Sequence, residues 1–109
     1  MSAGVIQAPA LAAVPGVVHG FTTREGGVSE EPFHSLNLSM SAGDARDSVK
    51  ENRRRVLEAV GREDAAWVSL RQVHSAQVVQ VTALASKSIE ADGVWTRDPG
   101  AVVAILVAD

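Results

Sequence analysis

Residues 101–108 read AVVAILVA, eight apolar side chains in a row. The run is too short to cross a bilayer, which takes about 20 residues in a helix, and it reads as a central strand buried on both faces. Asp109 follows and the sequence stops. Natural domains rarely finish on such a strand, because its edge and both apolar faces need partners. The sequence therefore reads as the first part of a longer protein, with at least one covering layer expected after Asp109. Working back from the run, Asp98-Pro99-Gly100 and Asp92-Gly93 are turn signals on either side of Val94-Trp95-Thr96. Trp67–Arg71 and Gln77–Thr82 read as strands, and His74 falls in the bend between them.

Ahead of these strands lies a helix. Val49, Val56, Leu57 and Val60 share one face at helical spacing, and Arg53 shares it with them. Asp44 is placed to cap the helix, Asp47 favours the positive end of its dipole, and Gly61 ends it. Ser35–Met40 alternates polar and apolar residues, the period of a half-buried strand, and Val17–Thr23 is a shorter β-like run. Gly26-Gly27 predicts a tight turn or a close approach of the backbone to something else. Residues 1–15 read as a loosely structured leader, and residues 16–109 as the N-terminal part of one domain.

Composition narrows the classes. The chain has 109 residues, 46% hydrophobic and 21% charged, which excludes a disordered tail. Its 17 Val against 7 Leu lean toward buried strands. Ten Lys and Arg against thirteen Asp and Glu leave a net charge of −3, without the basic footprint of a nucleic-acid binder. The absence of cysteine excludes a disulfide, a thiolate metal site and a cysteine nucleophile within these residues. The N-terminus lacks a basic segment and is interrupted by Pro9 and Pro15, so it makes a poor signal peptide. A soluble, cytoplasmic protein without membrane or nucleic-acid partners is expected.

Three residue types stand out for chemistry. His19, His34 and His74 match no local metal-ligand spacing, although a catalytic zinc site needs three protein ligands. His74 is the best placed of them, in a bend between Gln72 and Ser75. Arg24 beside Gly26-Gly27 can hold an anion or lie on the surface. Asn37 either points inward and needs partners or faces water. Arg53, on an apolar face, must snorkel, pair or contact a ligand. Phosphate loops, Ser-His-Asp order and paired carboxylates are missing.

Four segments in order, HGFTTREGGVSEEPFHSLNLS, GDARDSVKENRRRVLEAVG, WVSLRQVHSAQVVQV and ADGVWTRDPGAVVAILVAD, together resemble one family over Val18 to Asp109. This is the YfiH-type family, labelled laccase-domain or polyphenol oxidoreductase-like and described as multifunctional purine nucleoside phosphorylases. The resemblance implies an α+β fold, a four-layer α/β/β/α sandwich of which this chain is roughly the first half. It implies that His74, in Gln72-Val73-His74, is a zinc ligand with a catalytic role. The second ligand would be a cysteine directly after Ala108-Asp109 and the third a later histidine. Asn37 and Arg53 become candidates for substrate or phosphate contact. The complete protein would use zinc to cleave adenosine, inosine or methylthioadenosine with phosphate, and would also deaminate adenosine. The chain alone, with one ligand of three, is expected to be inactive. Copper is less favoured, because a multicopper site needs many histidines and a cysteine. The other readings are a non-catalytic, partner-binding fragment and a peptidoglycan-editing role within the same family.

Overall fold

The computed structural model describes residues 3–84 and 89–107. They fall into two compact units, one up to Glu63 and one from Asp64 onward.

The first unit is built around a helix. Its elements are β1 (Val5–Ile6), α1 (Pro9–Ala12), β2 (Phe21–Thr22) and α2 (Arg46–Ala59). β1 and β2 pair antiparallel, Val5 opposite Thr22 and Ile6 opposite Phe21. The expected leader is thus tied in from Ala3: Gly4 and Thr23 exchange backbone hydrogen bonds with the chain across the pair. Strand structure in Val17–Thr23 is confined to Phe21–Thr22.

α2 buries Val49, Asn52, Val56 and Leu57, close to the face that spacing predicts. Its C-terminus is a Schellman motif. Gly61, at φ 75°, donates to the Glu58 carbonyl and Arg62 donates to that of Leu57, the pairing that a left-handed glycine after the last turn allows. The N-terminus corrects the expectation for Asp44. The cap residue is Ala45, without a side-chain cap. Asp44 stands one residue earlier: its Oδ1 accepts the Ala45 N–H at 2.8 Å, and its Oδ2 accepts from Ser29 Oγ at 2.5 Å and Asn37 Nδ2 at 3.3 Å.

Ser35–Met40 is a second correction. Leu36 and Leu38 are buried as the alternation demands, yet the segment is not a strand. Its backbone finds other partners: Ser35 and Leu36 N–H donate to the Arg24 carbonyl. The Asn37 carbonyl accepts from Asn52 Nδ2 and the Leu38 carbonyl from Arg53. Side chains of α2 stand where a neighbouring strand would.

The second unit holds β3 (Ala66–Ser69), β4 (Val78–Val81), β5 (Gly93–Thr96) and β6 (Ala101–Ala104). β3 pairs parallel with β6, Val68 opposite Val103, and β4 pairs parallel with β5, Val78 opposite Gly93. Val68, Leu70, Val81 and Ala91 are buried. Asp98 shapes the turn into β6, accepting from Ala83 N–H at 2.7 Å and Gly100 N–H at 2.8 Å.

The reading of 101–108 as a strand buried on both faces needs correction. β6 ends at Ala104, has β3 as its one described neighbour, and leaves Val103 and Ile105 exposed. It ends there because Leu106 pairs with a side chain. Gln72 Nε2 donates to the Leu106 carbonyl and Gln72 Oε1 accepts the Leu106 N–H, both at 2.8 Å. A glutamine amide carries the same donor and acceptor as a peptide group, so it closes the ladder. Ala108, the last residue of the run, and Asp109 lie outside the described residues.

Candidate functional site

In the second unit, the segment from Gln72 to Ser75 turns sharply between β3 and β4. His74 adopts φ 61°, a left-handed conformation that costs a residue with a Cβ about 1–2 kcal/mol. The turn is held by one carboxylate. Asp92 Oδ1 accepts the N–H of Val73 at 3.1 Å and of His74 at 3.0 Å, while Oδ2 accepts Ser75 N–H at 2.6 Å and Ser75 Oγ at 2.7 Å. Successive amides converging on one point form an anion-binding nest, and here the chain's own Asp92 fills it. The Ser75 hydroxyl, then the Ser75 and His74 amides, hold the Asp92 carboxyl down at about 2. The imidazole of His74 itself faces solvent.

The other histidines are placed differently. His19 Nε2 accepts the Ala8 N–H at 2.9 Å, so that lone pair is engaged in holding the segment before α1. His34 is exposed in the loop ahead of Ser35. Among the described residues, no three His, Cys, Asp or Glu side chains are grouped so as to hold a metal ion. His74 is a fitting single donor, exposed and rigidly based. Asp92 beside it is already committed to amides.

In the first unit, Asn37 and Arg53 lie on either side of one network. Asn37 Nδ2 donates to the Ser39 carbonyl and to Asp44 Oδ2, and its Oδ1 accepts Ser39 N–H. Arg53 is half-buried and directs Nε and Nη2 to the Leu38 carbonyl at 3.0 and 2.8 Å. Its burial, and then the charge of Arg46, lower its pKa. Arg53 thus reaches back onto the Leu36–Leu38 segment. Arg24 is exposed, and its contribution is its carbonyl, which accepts from Ser35 and Leu36.

Sequence reasoning missed Asn52. It is fully buried, with Oδ1 accepting Val28 N–H and Nδ2 donating to Ser29 Oγ and the Asn37 carbonyl, each at 2.8 Å. The signal was available: Asn52 stands three residues after Val49 and four before Val56, inside the apolar stripe. The Gly26-Gly27 signal marked a real close approach, made to the chain itself. A Cβ on Gly27 would sit 2.1 Å from the Ser35 carbonyl oxygen and 2.6 Å from Asn52 Oδ1. A recess of about 330 Å³ opens between Val28, Glu30, Glu31, Phe33, Asp44 and the start of α2. Its acidic lining repels a phosphate, and Asn37, Arg53 and His74 do not line it.

Residues 18–109 match the family model described as multi-copper polyphenol oxidoreductase laccase. The chain belongs to that family. Relatives in it carry a different activity in their names. A purine nucleoside phosphorylase of Haemophilus influenzae is 40% identical over 97 residues, 88% of this chain and 39% of the relative. The purine nucleoside phosphorylase YfiH of Escherichia coli is 42% identical over 94 residues, 86% of this chain and 38% of the relative. The crystal structure of YlmD from Geobacillus stearothermophilus superposes with a TM-score of 0.80 at 34% identity, over 97% of this chain and 42% of that one. The protein NMB0706 of Neisseria meningitidis gives 0.73 at 30% identity, over 100% and 43%. The family's α+β fold is therefore shared. The chain spans about two-fifths of the length of these relatives.

Proposed function

We propose that a polypeptide carrying this chain over the length of its relatives is a zinc-dependent purine nucleoside phosphorylase, cleaving adenosine, inosine or methylthioadenosine with phosphate and also deaminating adenosine. In it, the remaining length would complete the four-layer sandwich. The observation that carries this reading is the exposed His74 imidazole on a turn pinned by five hydrogen-bonding contacts with Asp92, in a chain whose relatives are named purine nucleoside phosphorylases. His74 would be one zinc ligand, with the others contributed from beyond Asp109. Zinc, when bound, supplies a Lewis acid and a water of lowered pKa, the chemistry that deamination requires.

The protein's own residues would do the positioning. Asn37 would contact the nucleoside and Arg53 the phosphate, whose negative charge suits a guanidinium. In phosphorolysis a phosphate oxygen bonds to C1′ of the ribose as the glycosidic bond breaks, and the purine leaves with the bonding pair and takes up a proton. The donor set suits this reading better than the family's copper label. Three histidines and no cysteine, one of those histidines bonded to a backbone amide, give this chain little with which to share several coppers.

The test is phosphate-dependent release of hypoxanthine from inosine by the longer polypeptide, with His74→Ala alongside. The expected result is release in the wild type and a loss of about 100-fold or more in the variant. Equal rates in both would overturn the assignment of His74.

A further inference from the structure

We propose that Asp92 is a positioning residue for His74, fixing through the backbone the direction in which the imidazole meets a metal ion. This rests on the reading of His74 as a metal ligand. Ligating histidines are usually oriented by a hydrogen bond to the second ring nitrogen. Among the described residues, the hydrogen bond that holds residue 74 lies on its main chain instead, the His74 N–H donating to Asp92 Oδ1. The left-handed φ of His74 sets where its Cβ points, and the same carboxylate ties down the residues before and after it.

Asp92 is itself clamped. Its N–H and that of Gly93 both donate to the Gln77 carbonyl, at 3.1 and 3.0 Å. Gln77 N–H donates to Ser75 Oγ at 3.2 Å, and Ser75 Oγ donates back to Asp92. The ring of bonds links the 73–75 turn to the start of the β4–β5 pair. Gly93 makes the closeness possible, since a Cβ there would lie 2.8 Å from Val78 Cγ2. The nest of amides is therefore built for the carboxylate just before β5, which leaves it no room as a phosphate subsite.

The experiment uses the longer polypeptide and the variants Asp92→Ala, Asp92→Asn and His74→Ala. Zinc affinity is measured by chelator competition, ligand geometry by the visible absorption of the cobalt-substituted protein, and folding by the melting of the metal-free form. Asp92→Ala is expected to weaken zinc about tenfold or more and to shift the cobalt bands, while the metal-free protein melts near the wild type. Asp92→Asn, which keeps an acceptor oxygen, should recover part of the affinity. If Asp92→Ala fails to fold, Asp92→Asn and Ser75→Ala are compared by the same readouts. Wild-type affinity and cobalt bands in the Asp92 variants, with zinc lost in His74→Ala, would overturn this role and leave the His74 reading standing. So would a loss of zinc matched by collapse of the metal-free form in Asp92→Asn and Ser75→Ala as well. Zinc retained by His74→Ala would overturn the reading beneath it.

Discussion

Asn52 has no exposed surface, and its amide satisfies Val28, Ser29 and Asn37 at once. A buried polar group stranded without its partner costs about 1–3 kcal/mol. Asn52→Leu keeps the branched outline without the polar atoms and strands the Val28 N–H and the Asn37 carbonyl, so it should lower stability by about 3 kcal/mol. Urea unfolding would show this as a lower midpoint at unchanged slope, and an unmoved midpoint would contradict the network. Residue types were legible in the sequence where one chemical property decides their place. Gly27 had to be small, and Leu36 and Leu38 had to be inside. Gln72 was not legible, nor were the partners of Asn52, because an amide can imitate a peptide group anywhere the chain brings one within reach. His74 stood out only by its bend, and the carboxylate that makes the bend lies 18 residues away.

The helix α2 is the element whose sequence speaks most directly, since its apolar spacing and its terminal glycine act locally. Its start was misread because Asp44 has two competing sets of partners, and Ser29 and Asn37 hold it. Ala45 therefore caps the helix without a side-chain acceptor, at φ −61° and ψ 131°. Ala45→Ser should raise stability by about 1 kcal/mol, read as a higher urea midpoint; a lower one would show that the Ser29–Asp44 contact had been disturbed. On the outer face, Glu51 accepts from Arg54 and Arg55, both at 2.8 Å. Arg54 first, then Arg55, hold its carboxyl at about 2 against the usual 4.5. A depressed carboxylate adds stability that is full above its unfolded pKa and disappears as pH falls through the folded one. Wild type and Glu51→Gln should therefore differ in melting temperature at pH 7 and converge between about pH 4.5 and 2; a constant difference would contradict the pairing. High salt should narrow the gap at pH 7, because Arg54 is exposed and Glu51 partly so.

At the scale of the molecule, the sequence placed α2 and the four strands after it in order, but it missed β1 and α1 and misjudged how strands find partners. Ser35–Met40 has a strand's alternation and a helix's side chains for neighbours. β6 has a buried strand's composition and one described neighbour. Pairing is a non-local property, and neither periodicity nor composition carries it. No helix among the described residues is long and apolar enough to cross a membrane. Val78, Val103 and Val107 are 63%, 37% and 85% exposed, apolar surface on or just after the strands of the second unit, in a chain that spans about two-fifths of its relatives' length. The most direct measurement is the zinc content of the longer polypeptide, purified as wild type and as His74→Ala and determined by mass spectrometry of the metal. The account predicts close to one zinc per wild-type chain and almost none in the variant. Equal zinc in both proteins would contradict it.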